Sequence, residues 1–195
     1  MPSSPQISVS QDIQKATLSS WLLCILAALF YAYDFVLRIS PSVMIHPLMQ
    51  RFNVSASAIG LLSAFYYYSY TPLQLPSGVI IDKWPLRWVL SGSALCCAIG
   101  SFLFASTNIL FIAYLSRAMM GLGSAFAFVG ALKLAALNLP KRHFALFSGV
   151  ATTFGTLGAV ATDMFLSRSV ETLGWQKSIY ISGFIGLGLA ILLAL

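Results

Sequence analysis

The length of the uncharged runs limits this chain more than any other feature. Between charged side chains lie stretches over 16–33, 52–81, 88–116, 118–132, 144–162 and 178–195. Most reach or approach the roughly 20 residues that a helix needs to cross hydrocarbon. Only 8% of the residues are charged against 58% hydrophobic, and the mean hydropathy is +0.86, so the surplus of apolar residues calls for a bilayer rather than a soluble core. Helices satisfy their own backbone polar groups in lipid, and the ten-residue alternation of a membrane barrel is not evident. The sequence therefore predicts an all-α membrane protein: a six-transmembrane-helix bundle over 20–195, with spans near 20–43, 58–81, 87–105, 109–132, 144–166 and 175–195. Ser106, Thr107 and Asn108 form the turn between the third and fourth spans, because the apolar stretch around them is too long for one helix. Residues 1–19 are Ser- and Gln-rich and read as a disordered cytoplasmic leader. The first span is too long for the apolar region of a signal peptide.

Basic residues in the loops set the orientation. An even number of spans places Lys15, Lys83, Arg87, Lys141 and Arg142 on one side and Arg51, Arg168 and Lys177 on the other. Both termini are therefore expected in the cytoplasm, in an inner or plasma membrane. The formal charge of +6 reads as topology and contact with anionic lipid, not nucleic-acid binding, since the bases are scattered among spans and loops. Cys24, Cys96 and Cys97 fall inside spans without Cys-x-x-Cys spacing and read as small packing residues. His46 and His143 sit at span ends with no second ligand nearby in sequence, so neither a metal nor any other cofactor is expected. Asn53-Val54-Ser55 is a glycosylation sequon of a kind common by chance. Ser124 has no mid-span histidine to activate it, which argues against an enzyme.

Several polar residues stand out against the apolar spans. In the first, Tyr31, Asp34 and Arg38 fall at i, i+3 and i+7 and share a face; in the second, Tyr66, Tyr70 and Gln74 recur every four residues. The second set reads equally as the lining of a passage or as packing. Arg117 lies about nine residues into the fourth span, at a depth similar to that of Asp34, so a pair between them is geometrically open. A charge at that depth costs from roughly 2.5 kcal/mol and should face a polar cavity or a partner. Gly121, Ser124 and Phe128 continue its face. Lys133 and Asp163 read as interface anchors near span ends. Asp82, at the C-terminal end of the second span, meets an unfavourable helix dipole and needs a positive partner: Lys83, Arg87 or the N-terminus of another helix.

The stretch "GVIIDKWPLR", with Gly78, Asp82, Lys83 and Arg87 in place, resembles the cytoplasmic signature loop of the major facilitator superfamily; Pro85 replaces the usual glycine and Leu86 a usual base. "YLSRAMMGLGSAF" is similar to that family's fourth-span motif of a buried arginine before a glycine pair. The fifth span has Gly149, Gly155 and Gly158 but lacks the Gly-Pro of the family's antiporters. The resemblance covers essentially 20–195 and implies the N-terminal six-helix half of a secondary transporter. Such a half works by alternating access with a second six-helix half, in the same chain or a partner, and Gly78, Asp82, Lys83 and Arg87 form its cytoplasmic gate. The first-helix Arg38 before Ser40-Pro41 and "SAFYYYSYTPLQLPSG" look like the anion:cation symporter branch, although Leu37 and Ser124 stand where that branch has acids. "AYD" with the same second helix resembles the lysosomal dipeptide-transporter branch, whose carriers are uniporters. The substrate is then a small organic solute, anionic or zwitterionic. It would be held by Tyr31, Arg38, Tyr66, Tyr70, Gln74, Arg117 and Ser124, with Asp34 as the proton-coupling acid. A truncated or half-transporter with a structural or assembly role is the rival reading.

Overall fold

The structure is a computed structural model and describes residues 18–195. The leader expected over 1–19, and Lys15 with it, lies outside the described residues except for its last two positions. Eight helices follow in order: α1 (Leu18–Val43), α2 (Ile45–Phe52), α3 (Ala56–Lys83), α4 (Leu86–Ser106), α5 (Leu110–Ser124), α6 (Ala127–Asn138), α7 (Lys141–Leu173) and α8 (Trp175–Ala194). Their breaks follow local chemistry. Asn53 ends α2 in the left-handed region, φ 52°, which asparagine tolerates better than most residues, and the Val54 N–H returns to the Met49 carbonyl at 3.2 Å. Pro85 and Pro140 immediately precede α4 and α7, where a missing N–H costs nothing. Gly174, at φ 85°, is the whole connection between α7 and α8.

Among the described residues five stretches are long and apolar enough to cross a membrane: Ser20–Val43, Leu86–Ser106, Leu110–Asn138, His143–Leu173 and Trp175–Ala194. The sixth long helix, α3, has 28 residues, about 42 Å, but its tyrosines, Gln74, Pro72 and Pro76 dilute its hydropathy. The turn expected at 106–108 is present, with the Thr107 hydroxyl accepting the Ile109 N–H at 3.1 Å. Two expected boundaries change. The fourth span, expected to be continuous over 109–132, breaks at Ala125–Phe126 and runs on to Asn138. The fifth, expected to end near 166, continues to Leu173, so Asp163 stands ten residues before the helix end rather than at it.

α4 packs between α8 and α5, α5 against α3, and α1 against α7, α6 and α8. The contacts to α5 need residues without side chains. A Cβ on Gly121 would collide with the Tyr66 carbonyl of α3, and one on Gly123 with the Ser93 carbonyl of α4. Close backbone approach of this kind is how helices associate where lipid supplies no hydrophobic drive. The glycine pair thus presses the fourth span between its neighbours one turn before it breaks. Cys24 and Cys97 are buried and Cys96 half-buried; Cys96 and Cys97 donate to the Met119 and Met120 carbonyls at 3.3 and 3.4 Å, as packing residues do.

Candidate functional site

The polar residues of α1, α3 and α5 meet inside the bundle. Asp34 is 1% exposed, and its two oxygens have separate donors: Arg38 Nη2, one turn along α1, at 2.7 Å to Oδ2, and the Tyr66 hydroxyl of α3 to Oδ1. The Arg38 guanidinium lies 4.9 Å from the Phe35 ring and 4.7 Å from the Tyr70 ring, an aromatic slot that fixes its plane. Tyr66 and Tyr70 stack at 5.8 Å, so the four-residue spacing on α3 does build one face. Arg38 keeps 20% of its side chain exposed, and its Nε is buried without a partner. The cluster therefore shows a guanidinium to the open side and keeps the carboxylate behind it.

The pair considered between Asp34 and Arg117 does not form: Asp34 is bound by Arg38 instead, and Tyr66 stands between the two. Arg117 is fully buried, 5.0 Å from the Tyr66 ring centre, and spends its donors on α1 and α3. Its Nη1 donates to the Leu37 carbonyl at 2.7 Å and reaches Ser40 Oγ at 3.5 Å, while its Nε reaches the Leu62 carbonyl of α3 at 3.4 Å. The Leu37 carbonyl is free because its helical donor four residues on would be Pro41, which has no N–H. Arg117 and the Ser40 hydroxyl, at 2.8 Å, together replace that bond. Arg117 Nη2 has no partner.

The remaining expected residues divide. Tyr31 packs on Phe35 and Phe128, with ring centres 5.2 and 4.9 Å away, and so adjoins the Arg38 slot through Phe35. Ser124 is buried 3.7 Å from the Cys97 thiol. Gln74 is half-buried one turn beyond Tyr70, and its backbone carbonyl accepts the Ser77 hydroxyl. At the far end of α3, Asp82 pairs with Lys133 Nζ of α6 at 2.6 Å. That corrects one expectation, since the partner of Asp82 is neither Lys83, Arg87 nor a helix N-terminus, and adds to another, since Lys133, expected as an interface anchor, is paired at that end of the bundle. Lys83 and Arg87 are exposed, Arg87 lying 5.1 Å from the Trp88 ring, and a Cβ on Gly78 would meet no atom within 4 Å. Reading the sequence gave no role to Phe35 or Ser40 and missed the pairing of Lys133 with Asp82. Phe35 and Pro41 were findable, since one stands three residues before Arg38 and the other four after Leu37. Among the described residues no group of three or more His, Cys, Asp or Glu is placed to hold a metal.

A bundle of long apolar helices with a buried acid–arginine–tyrosine cluster, an arginine clasping a proline break and a glycine pair on the fourth span has the make-up of an integral membrane protein. The family model of the Major Facilitator Superfamily matches 21–195, and the chain belongs to that family. Similar chains include the uncharacterized transporter YybO of Bacillus subtilis, 24% identical over 179 residues, covering 92% of this chain and 41% of the relative. The probable sulfoacetate transporter SauU of Cupriavidus necator is 24% identical over 166 residues, covering 85% and 39%. The chain thus spans about two fifths of the length of these relatives. Among solved structures, a bacterial homologue of the human lysosomal transporter Spinster, inward-facing and unoccupied, superposes with a TM-score of 0.81 over 91% of this chain and 43% of its own, at 17% identity. The fold is that of the family's N-terminal six-helix half.

Proposed function

We propose that this chain forms the N-terminal half of a secondary transporter that moves a small anionic or zwitterionic organic solute across an inner or plasma membrane by alternating access. Both termini are cytoplasmic, all six long helices span, α3 included, and a second six-helix half completes the path. One observation carries the reading: a partly exposed arginine in an aromatic slot, backed by a buried carboxylate, inside a membrane bundle. Ionisable groups at such depth mark substrate or ion paths. The sulfoacetate in the Cupriavidus relative's name is an organic anion, which supports the sign of the charge.

Arg38 takes the substrate carboxylate, with Tyr31, Tyr70 and Gln74 along its approach. Tyr66, Ser124 and Arg117 act behind it, Tyr66 by holding Asp34 and Arg117 by holding α1 at its proline. A substrate anion and Asp34 compete for the one guanidinium, so when substrate draws Arg38 away, a proton replaces it on Asp34. Binding and protonation then favour each other, which is proton-coupled symport. Asp82, Lys133, Lys83, Arg87 and Gly78 form the cytoplasmic gate. The roles are those of transport, not of catalysis.

The test is uptake into proteoliposomes holding the chain together with its second half. Asp34→Asn should abolish accumulation driven by a proton gradient and retain counterflow of labelled solute. Accumulation that survives the substitution removes Asp34 from coupling and leaves facilitated diffusion.

A further inference from the structure

A cavity lies away from the polar cluster, on the other flank of α1. Its floor is α1 between Leu29 and Val36, and its walls are α7 and α8; its volume is about 510 Å³. The α7 wall runs from Gly158 to Ser169 and the α8 wall from Ser178 to Leu189. Each covers twelve residues, about 16 Å of helix from first to last. Half of a bilayer's hydrocarbon thickness is about 15 Å, so the groove is as long as one leaflet's acyl region. Its lip is apolar and open, with Phe165 74% and Ile185 52% exposed.

The groove also has direction. Ser169 and Ser178 line its upper end, just below the α7–α8 turn at Gly174, while Thr162 and Ser182 lie deeper, among mainly apolar side chains. Next to those two serines in sequence stand Arg168 and Lys177, both exposed. At about 100° per residue, Arg168 lies about 90° from the middle of the lining face of α7, on its lip. Glu171 and Asp163, the acids of the same helix, lie about 150° and 130° away. Two cations flank the mouth and the acids are turned from it.

We infer that this groove seats one acyl chain of an anionic glycerophospholipid from the leaflet at the α7–α8 end, with its phosphate between Arg168 and Lys177. Length gives the acyl chain, charge gives the headgroup, and the single-residue turn holds the two walls at fixed spacing. The hydroxyls of Ser169 and Ser178 lie where the ester region of such a lipid falls. The site is independent of the Asp34 cluster.

The experiment places the chain in nanodiscs with phosphatidylglycerol bearing a diazirine on one acyl chain, followed by irradiation and peptide mapping. Labelling should concentrate on 158–169 and 178–189. Arg168→Gln with Lys177→Gln, both at exposed positions, should lower it by about fivefold for each charge removed. The matching phosphatidylcholine probe should label weakly and ignore those substitutions. Ala161→Phe, which narrows the groove, should reduce labelling by both probes. Labelling spread evenly over the outer faces of α4, α7 and α8 would overturn the inference, as would equal labelling by the two headgroups. Chain-to-chain cross-links through Phe165 or Ile185 in place of lipid adducts would assign the groove to a second copy or the second half instead.

Discussion

Asp34–Arg38 and Asp82–Lys133 are ion pairs of almost equal length, 2.7 and 2.6 Å, in very different surroundings. The first joins residues one turn apart on one helix, with the carboxylate 1% exposed and a tyrosine hydroxyl on its other oxygen. The second joins two helices at the end of the bundle, with Asp82 64% and Lys133 37% exposed. Distance alone would rank them together. Burial separates them: a buried pair is costly to break because its survivor is stranded, whereas an exposed pair exchanges its partner for water at little cost. The inner pair therefore opens only when each member gains a replacement, an anion for Arg38 and a proton for Asp34, whereas the outer pair can open and close against water alone.

The sharpest way to break this contrast is to strand the inner arginine. Asp34→Ala should cost about 3–5 kcal/mol, read as a fall in the thermal unfolding midpoint in detergent; a shift no larger than that of an exposed substitution would show that the cluster is not enclosed. Arg117→Met comes next. It keeps the volume but removes a charged donor from the Leu37 carbonyl, and should cost about 1.5–3 kcal/mol in the same assay. Ser40→Ala added to it should cost more than it does alone, because the carbonyl vacated by Pro41 then has neither donor.

Gly121→Ala should cost about 1–3 kcal/mol by forcing α5 away from the Tyr66 carbonyl. Its distinguishing mark is weaker hold on Asp34, visible as changed tyrosine fluorescence or ultraviolet difference absorption. Asp82→Asn is the smallest: less than about 1 kcal/mol, shrinking further at molar salt where exposed charges are screened. Under the proposed gating role the same substitution slows uptake by the complete transporter. Stability that drops by several kcal/mol, or uptake unchanged from wild type, would each dissolve the distinction between the two pairs.

The site was legible where it depends on spacing along one helix. Tyr31, Asp34 and Arg38 on one face, and the stacked Tyr66 and Tyr70, follow from the 3.6-residue repeat. It was illegible where it depends on the phase between helices. The Asp34–Arg117 pairing looked open because equal depth can be counted along a chain, but whether two side chains meet also depends on rotation and on what stands between them. Here Tyr66 does. Lys133 was read as an interface anchor without a partner for the same reason, since its meeting with Asp82 depends on how α6 sits against α3. Asp163 was placed too close to an end because nothing in the sequence after 166 forces α7 to stop before Gly174.

The sequence by itself determined that the chain is helical and belongs in a bilayer, that a turn falls at 106–108, and which residues carry polarity into the spans. Those properties arise from composition and local periodicity, which need no neighbour to be expressed. Only the tertiary structure decided that Arg38 faces outward while Arg117 is enclosed, that Asp82 reaches across to Lys133, and that α1, α7 and α8 leave a groove between them. Each of these is a relation between helices whose rotation is set by packing, with the glycines at 121 and 123 admitting neighbouring backbones to contact. Partnering of charges in the membrane is a consequence of that packing, because a side chain in hydrocarbon takes whichever partner the fold brings within reach.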